Sequence, residues 1–80
     1  MRRLGFIGIV IDDRSVADDV NHLISEFGDY IIARTGIPYR EKEVSVINLT
    51  VDIDTDTLGK LTGRLGNLPH VTIKSALCKS

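Results

Sequence analysis

Leu4-Gly5-Phe6-Ile7-Gly8-Ile9-Val10-Ile11 is the stretch on which the fold turns. Its length and β-branched content read as a strand. Ile7, Ile9 and Ile11 make one face uniformly bulky, and Phe6, Gly8 and Val10 leave the other face apolar too. A strand apolar on both faces is covered on both. Helices are expected to form one cover and a partner subunit the other.

Downstream, Asp12-Asp13-Arg14 closes the strand, and Ser15 is placed to cap a helix, with Asp18 three residues on. Val16, Val20, Leu23, Ile24 and Phe27 recur at helical spacing, and Gly28 is expected to end the helix. Residues 30–35 read as a second strand, and 36–43 as a hairpin tip marked by Gly36, Pro38 and a charge run. Residues 44–53 read as a third strand, with Ile47, Leu49, Val51 and Ile53 on one face and Val46, Asn48, Thr50 and Asp52 on the other. Thr55 or Asp56 is expected to cap a second helix carrying Leu58, Leu61 and Leu65. Gly59 and Gly63 on that helix read as a site of close packing, and Gly66 as its C-cap. Residues 70–77 read as the last strand.

The order β-α-β-β-α-β is that of two split βαβ units with right-handed crossovers. It predicts one α+β domain over residues 1–80, of ferredoxin-like βαββαβ (ACT-like) type. Both helices then cover one face of a four-stranded antiparallel sheet. Phe6, Val10 and Val46 are left on the bare face, as candidate contacts in a homodimer or tetramer.

Composition narrows the function classes. Ten basic and eleven acidic residues are spread along the chain, whereas a nucleic-acid binder needs a clustered positive field. No direct nucleic-acid binding is expected. No run approaches a membrane-spanning length. A single cysteine, Cys78, fits a reducing compartment, and the short apolar run after Arg2-Arg3 does not read as a signal peptide. The expected location is the cytoplasm.

Asp18, His22 and Glu26 stand at successive i, i+4 positions, which reads as a solvated face with local ion pairs rather than a metal site. His70 and Cys78 lie eight residues apart on one strand, roughly 26 Å at about 3.3 Å per residue, too far to share an ion. Asn48 and Arg14 are similar to the functional pair of acylphosphatases, but Asp12-Asp13-Arg14-Ser15 lacks the glycine-containing loop that cradles phosphate there. No catalytic residue, metal ligand or cofactor is expected.

Arg34-Thr35-Gly36-Ile37-Pro38 and Asp56-Thr57-Leu58-Gly59-Lys60-Leu61-Thr62-Gly63-Arg64-Leu65-Gly66 carry a resemblance that extends over the whole chain. They resemble the proposed iron-only hydrogenase system regulators, small free-standing ACT-like domains also compared with the C-terminal domain of the nickel-responsive repressor. The resemblance implies self-association and a regulatory role in a hydrogenase-linked system, through a protein partner. The repressor's cluster of His and Cys metal ligands has no counterpart at these positions. ACT modules bind effectors at the first βα loop, so Asp12, Asp13 and Arg14 form the candidate ligand surface, although residues 11–17 lack the usual glycine. Arg34, Pro38 and Tyr39 are the candidate hairpin contacts. The leading expectation is a non-enzymatic, oligomeric regulatory or sensing module. The alternatives are an adaptor without a small ligand, an amino-acid-binding ACT domain and a weak hydrolase.

Overall fold

Ile7, Ile9 and Ile11 are buried while Phe6 and Val10 are exposed, so the alternation along β1 (Arg3–Ile11) divides the molecule into two sides. The computed structural model describes residues 1–79. Its further elements are α1 (Ala17–Glu26), β2 (Ile31–Tyr39), β3 (Val44–Ile53), α2 (Thr55–Gly66) and β4 (Val71–Leu77). The sheet order is β2-β3-β1-β4, and every neighbouring pair is antiparallel. This is the ferredoxin-like arrangement expected from the element order.

The core lies between the sheet and the helices. Ile7 and Ile9 of β1 and Leu49, Val51 and Ile53 of β3 pack with Val20, Leu23 and Ile24 of α1 and Leu61 and Leu65 of α2. Among the described residues, all the fully buried side chains are aliphatic, and none of the buried residues is polar. Each contributes about 1.5–3 kcal/mol of burial, relative to exposure, and the half-buried Phe27 and Tyr30 pack against this core.

An aspartate upstream of the expected cap opens each helical segment, directly for α2 and through a 3-10 turn for α1. Asp13 accepts from the Ser15 amide at 2.9 Å and opens a 3-10 turn, Arg14–Val16, that runs into α1. Ser15 is therefore inside the turn and not its cap, because an Asp side chain captures the amide two residues on. Asp54 caps α2 by accepting from the Thr57 amide at 3.0 Å, in place of Thr55 or Asp56. At the helix ends, neither Gly28 nor Gly66 adopts a left-handed conformation. Gly28 starts a second 3-10 turn, Gly28–Tyr30, and Gly66 is the last residue of α2, followed by Asn67 in a right-handed conformation.

The hairpin differs most from expectation. β2 runs on through Gly36 and Pro38 to Tyr39, and the connection shrinks to a 3-10 turn, Arg40–Lys42, and the left-handed Glu43 (φ 56°). Pro38 is tolerated because β2 is an edge strand, where a residue without an N–H is accommodated. A register shift between Ile31 and Ala33 then sets the facing of the strand. Arg34, Gly36 and Pro38 oppose Leu49, Ile47 and Ser45 on the helix side, whereas Thr35 and Ile37 oppose Asn48 and Val46 on the bare side.

Two sets of glycines have opposite surroundings. A Cβ on Gly5 would stand 2.6 Å from both the Ala76 carbonyl oxygen and Leu77 Cδ2, so only glycine permits the close approach of β1 and β4 there. A Cβ on Gly59 or Gly63 would meet nothing within 4 Å. These two face solvent, and the close packing expected of them is absent: Leu61 and Leu65, not the glycines, point α2 into the core.

Candidate functional site

The loop leaving β1 and the tip of the β2–β3 hairpin meet around an open cleft of about 540 Å³. Asp13, Arg14 and Ala17 line it from the loop and the start of α1, and Pro38, Arg40 and Glu43 from the hairpin. Ile11 and Ser45 lie at the strand ends between them. The cleft thus joins part of the candidate ligand loop to part of the candidate hairpin contact, two features far apart in sequence.

The three loop residues have different fates. Asp12 turns toward β4, its Oδ1 3.0 Å from His70 Nδ1. Asp13 serves as a cap, and its Oδ2 lies 3.6 Å from His70 Nε2. The Ser15 amide, then its hydroxyl, hold the Asp13 carboxyl below its ordinary value, and the nearby His70 adds to the effect. Arg14 makes no ion pair among the described residues and lines the cleft. The cleft therefore offers two arginines, Arg14 and Arg40, beside one committed carboxylate and the carboxylate of Glu43. That is a balanced, polar rim over an apolar floor of Ile11 and Pro38.

The six candidate interface residues fall on two sides. Phe6 (57% exposed), Val10 (37%) and the partly exposed Val46 share the bare sheet face with Leu4 (50%) and Ile37 (45%). Arg34 lies on the helix side, where its guanidinium donates to Asn21 Oδ1 of α1 at 2.8 Å. Pro38 and Tyr39 both line the cleft, and Tyr39, at the end of the strand, donates through its hydroxyl to Glu41 Oε2 at 3.0 Å. The hairpin residues thus belong mainly to the cleft and the α1 contact, and the apolar patch belongs to β1 and β3 with Ile37.

On the exposed side of α1, His22 Nε2 lies 3.3 Å from Glu26 Oε1, and Arg64 of α2 reaches Glu26 Oε2 at 2.7 Å. The Arg64 hydrogen bond holds the Glu26 carboxyl below its usual value. Among the described residues no three or more His, Cys, Asp or Glu gather closely enough to hold a metal ion. No described helix is long and apolar enough to cross a membrane.

Sequence reasoning missed Arg40, Glu43 and His70. The tip charges read only as turn signals. His70 was legible in principle, because it directly precedes the partner of Ile11 in the β1–β4 ladder (Ile11 opposite Val71) and so must meet Asp12.

Residues 3–75 match the TM1266-like family, whose description is "Iron-only hydrogenase system regulator, putative". The chain belongs to this family. Among solved structures, protein TM1266 of Thermotoga maritima is 34% identical, with a TM-score of 0.94 over 99% of this chain and 100% of that one. The ACT domain of GTP pyrophosphokinase from Chlorobium tepidum is 22% identical, with a TM-score of 0.70 over 99% of this chain and 89% of that one. A formyltetrahydrofolate deformylase from Pseudomonas putida superposes with a TM-score of 0.65 at 11% identity, over 91% of this chain and 28% of that one. The last two likenesses establish the ACT-like fold alone. No protein of curated function matches the chain.

Proposed function

We propose that this family member is a non-enzymatic, self-associating regulatory or sensing module of an iron-only hydrogenase system, acting in the cytoplasm through a protein partner. The observation that carries the reading is the bare apolar sheet face. Leu4, Phe6, Val10 and Ile37 stay exposed on a sheet whose other side is sealed by both helices, and an exposed apolar patch of this kind marks an interaction surface. The balance of charge, −1 overall, favours a protein partner over nucleic acid. The chemistry of the first loop supports the absence of catalysis: its carboxylates are engaged by His70 and the Ser15 amide, which leaves no nucleophile–base pair there.

Light scattering on the intact chain at micromolar concentration tests the reading. A dimer or tetramer is the expected result, and a clean monomer overturns self-association. Sensing is tested in the cleft by a thermal-shift screen of amino acids, nucleotides and divalent metals. A ligand at 100 times its Kd stabilises by about 2.7 kcal/mol. A flat response favours an adaptor, a reading supported by how much of the loop's polar capacity is already used within the chain.

A further inference from the structure

The bare sheet face has relief as well as hydrophobicity. Its centre is Gly8, which lies between Asn48 of β3 and Lys74 of β4 in the ladder. A Cβ there would meet Asn48 Oδ1 at 3.8 Å and the Lys74 carbonyl oxygen at 3.9 Å, ordinary contact distances, so the half-buried Gly8 leaves a shallow dip between its two neighbours. Two residues away on the same strand and the same face stands Phe6, 57% exposed. One strand therefore presents a knob and a shallow socket side by side.

We infer that the occupant of this face is a second copy of the chain, packed about a two-fold axis that crosses the strands beside Ile7, so that Phe6 of each copy enters the hollow over Gly8 of the other. The inference rests on the self-association proposed for the same face and specifies how it occurs. A two-fold contact uses each feature twice, and a knob and socket offset by two residues are self-complementary when the β1 strands run antiparallel across the contact. Leu4 then falls over Val10 of the second copy, apolar on apolar. The outward positions of the four strands carry only two charges, Asp52 at the Leu4 end and Lys74 on the edge strand β4. Asp52 lies at the end of the contact, and Lys74, beside Gly8 on the edge strand, is exposed and has a long stem that lets its charge reach past the sheet edge into water. The size is adequate too. Four strands about 4.8 Å apart and about 27 Å long project a face of roughly 500 Å². Two such faces bury roughly 1,000 Å², more once side-chain relief is counted, which reaches the size of a specific interface.

The test is the dimer dissociation constant of three variants, measured by sedimentation or light scattering, with circular dichroism to confirm the fold. Gly8→Val fits the isolated chain, since its Cβ has room and a β-branched residue suits a strand. It adds apolar surface, yet by filling the socket it is expected to weaken association at least about tenfold, as Phe6→Ala does by removing a central aromatic anchor. Phe6→Gly combined with Gly8→Phe exchanges knob and socket, and association is expected to return to within about threefold of the parent. If the parent associates and Gly8→Val associates as tightly or more tightly, or the exchange stays as weak as the single variants, this mode is overturned while self-association stands. A monomeric parent overturns both. Should Gly8→Val not fold, Phe6→Ala and the exchange decide the matter.

Discussion

His70 is joined to Asp12 twice: its Nδ1 lies 3.0 Å from Asp12 Oδ1, and its main-chain carbonyl accepts the Asp12 amide, also at 3.0 Å. The double link ties the start of β4 to the end of β1, directly behind the loop that lines the cleft. It depends on a left-handed backbone at His70, φ 64°, which aims both the carbonyl and the ring at one neighbour.

That conformation gives a first prediction. His70→Ala and His70→Gly both remove the ring, but only alanine retains the left-handed penalty of a Cβ. His70→Ala is expected to be about 1 kcal/mol less stable than His70→Gly in urea denaturation. Equal stabilities would show that the backbone there relaxes freely.

The solvent-facing glycines of α2 give a prediction of opposite sign. Gly59→Ala and Gly63→Ala place a methyl group in open space and remove backbone freedom from the unfolded chain. Each is expected to stabilise the protein by about 0.5–1 kcal/mol, read as a higher urea midpoint at unchanged slope. A loss of stability would mean that this face packs against something.

Gly5 sits at the other extreme. Gly5→Ala drives a Cβ into the Ala76 carbonyl oxygen, a backbone atom that gives way only if β1 and β4 separate. A loss of about 1–3 kcal/mol is expected. Leu61→Ala, which empties a fully buried site between helix and sheet, is expected to cost about 2–5 kcal/mol. The two sites lie on different elements, so the losses should add to about 3–8 kcal/mol, a large share of the about 5–15 kcal/mol of a domain of this kind, read as a strongly lowered urea midpoint.

Acid should destabilise the domain through three carboxylates. Hydrogen bonds from Thr57 hold Asp54 below its ordinary value of 3.8, those from Ser15 do the same for Asp13, and Arg64 lowers Glu26 from 4.5. A carboxyl whose folded pKa lies below its unfolded one stabilises fully above the unfolded value and loses that contribution as pH falls through the folded one. Stability is expected to be flat from pH 7 to about 5 and to fall below about 4. Asp54→Asn keeps a capping oxygen but cannot titrate, so its urea midpoint should fall less steeply with acid than the parent's. An identical slope would rule out Asp54 as a contributor.

The order of elements and the core were legible because both rest on periodicity. Ile47, Leu49, Val51 and Ile53 alternate cleanly, and all four are buried in β3 over the expected span. The capping aspartates, Asp13 and Asp54, lie one or two residues upstream of the serine and threonine that the spacing favours, because their carboxylates accept the amides of Ser15 and Thr57. Gly36 and Pro38 read as breakers, yet an edge strand has a free side on which neither disrupts a ladder. The cleft was the least legible feature. Arg14 and Arg40 come together only through the pairing of Pro38 with Ser45 and of Ile11 with Ser45, contacts that no local pattern encodes.

The register shift between Ile31 and Ala33 acts as a phase setting for the whole distal hairpin. Before it, odd-numbered residues of β2 look toward the helices; after it, even-numbered ones do. One added or deleted residue at that point would invert the phase, carrying Arg34 away from Asn21 and Pro38 out of the cleft while turning Ile37 inward. A single codon gained or lost there would turn the cleft-lining side of the hairpin onto the bare sheet face and the bare side onto the cleft. The length of this segment, more than the identity of any residue in it, therefore decides which side chains of the distal hairpin meet the helices.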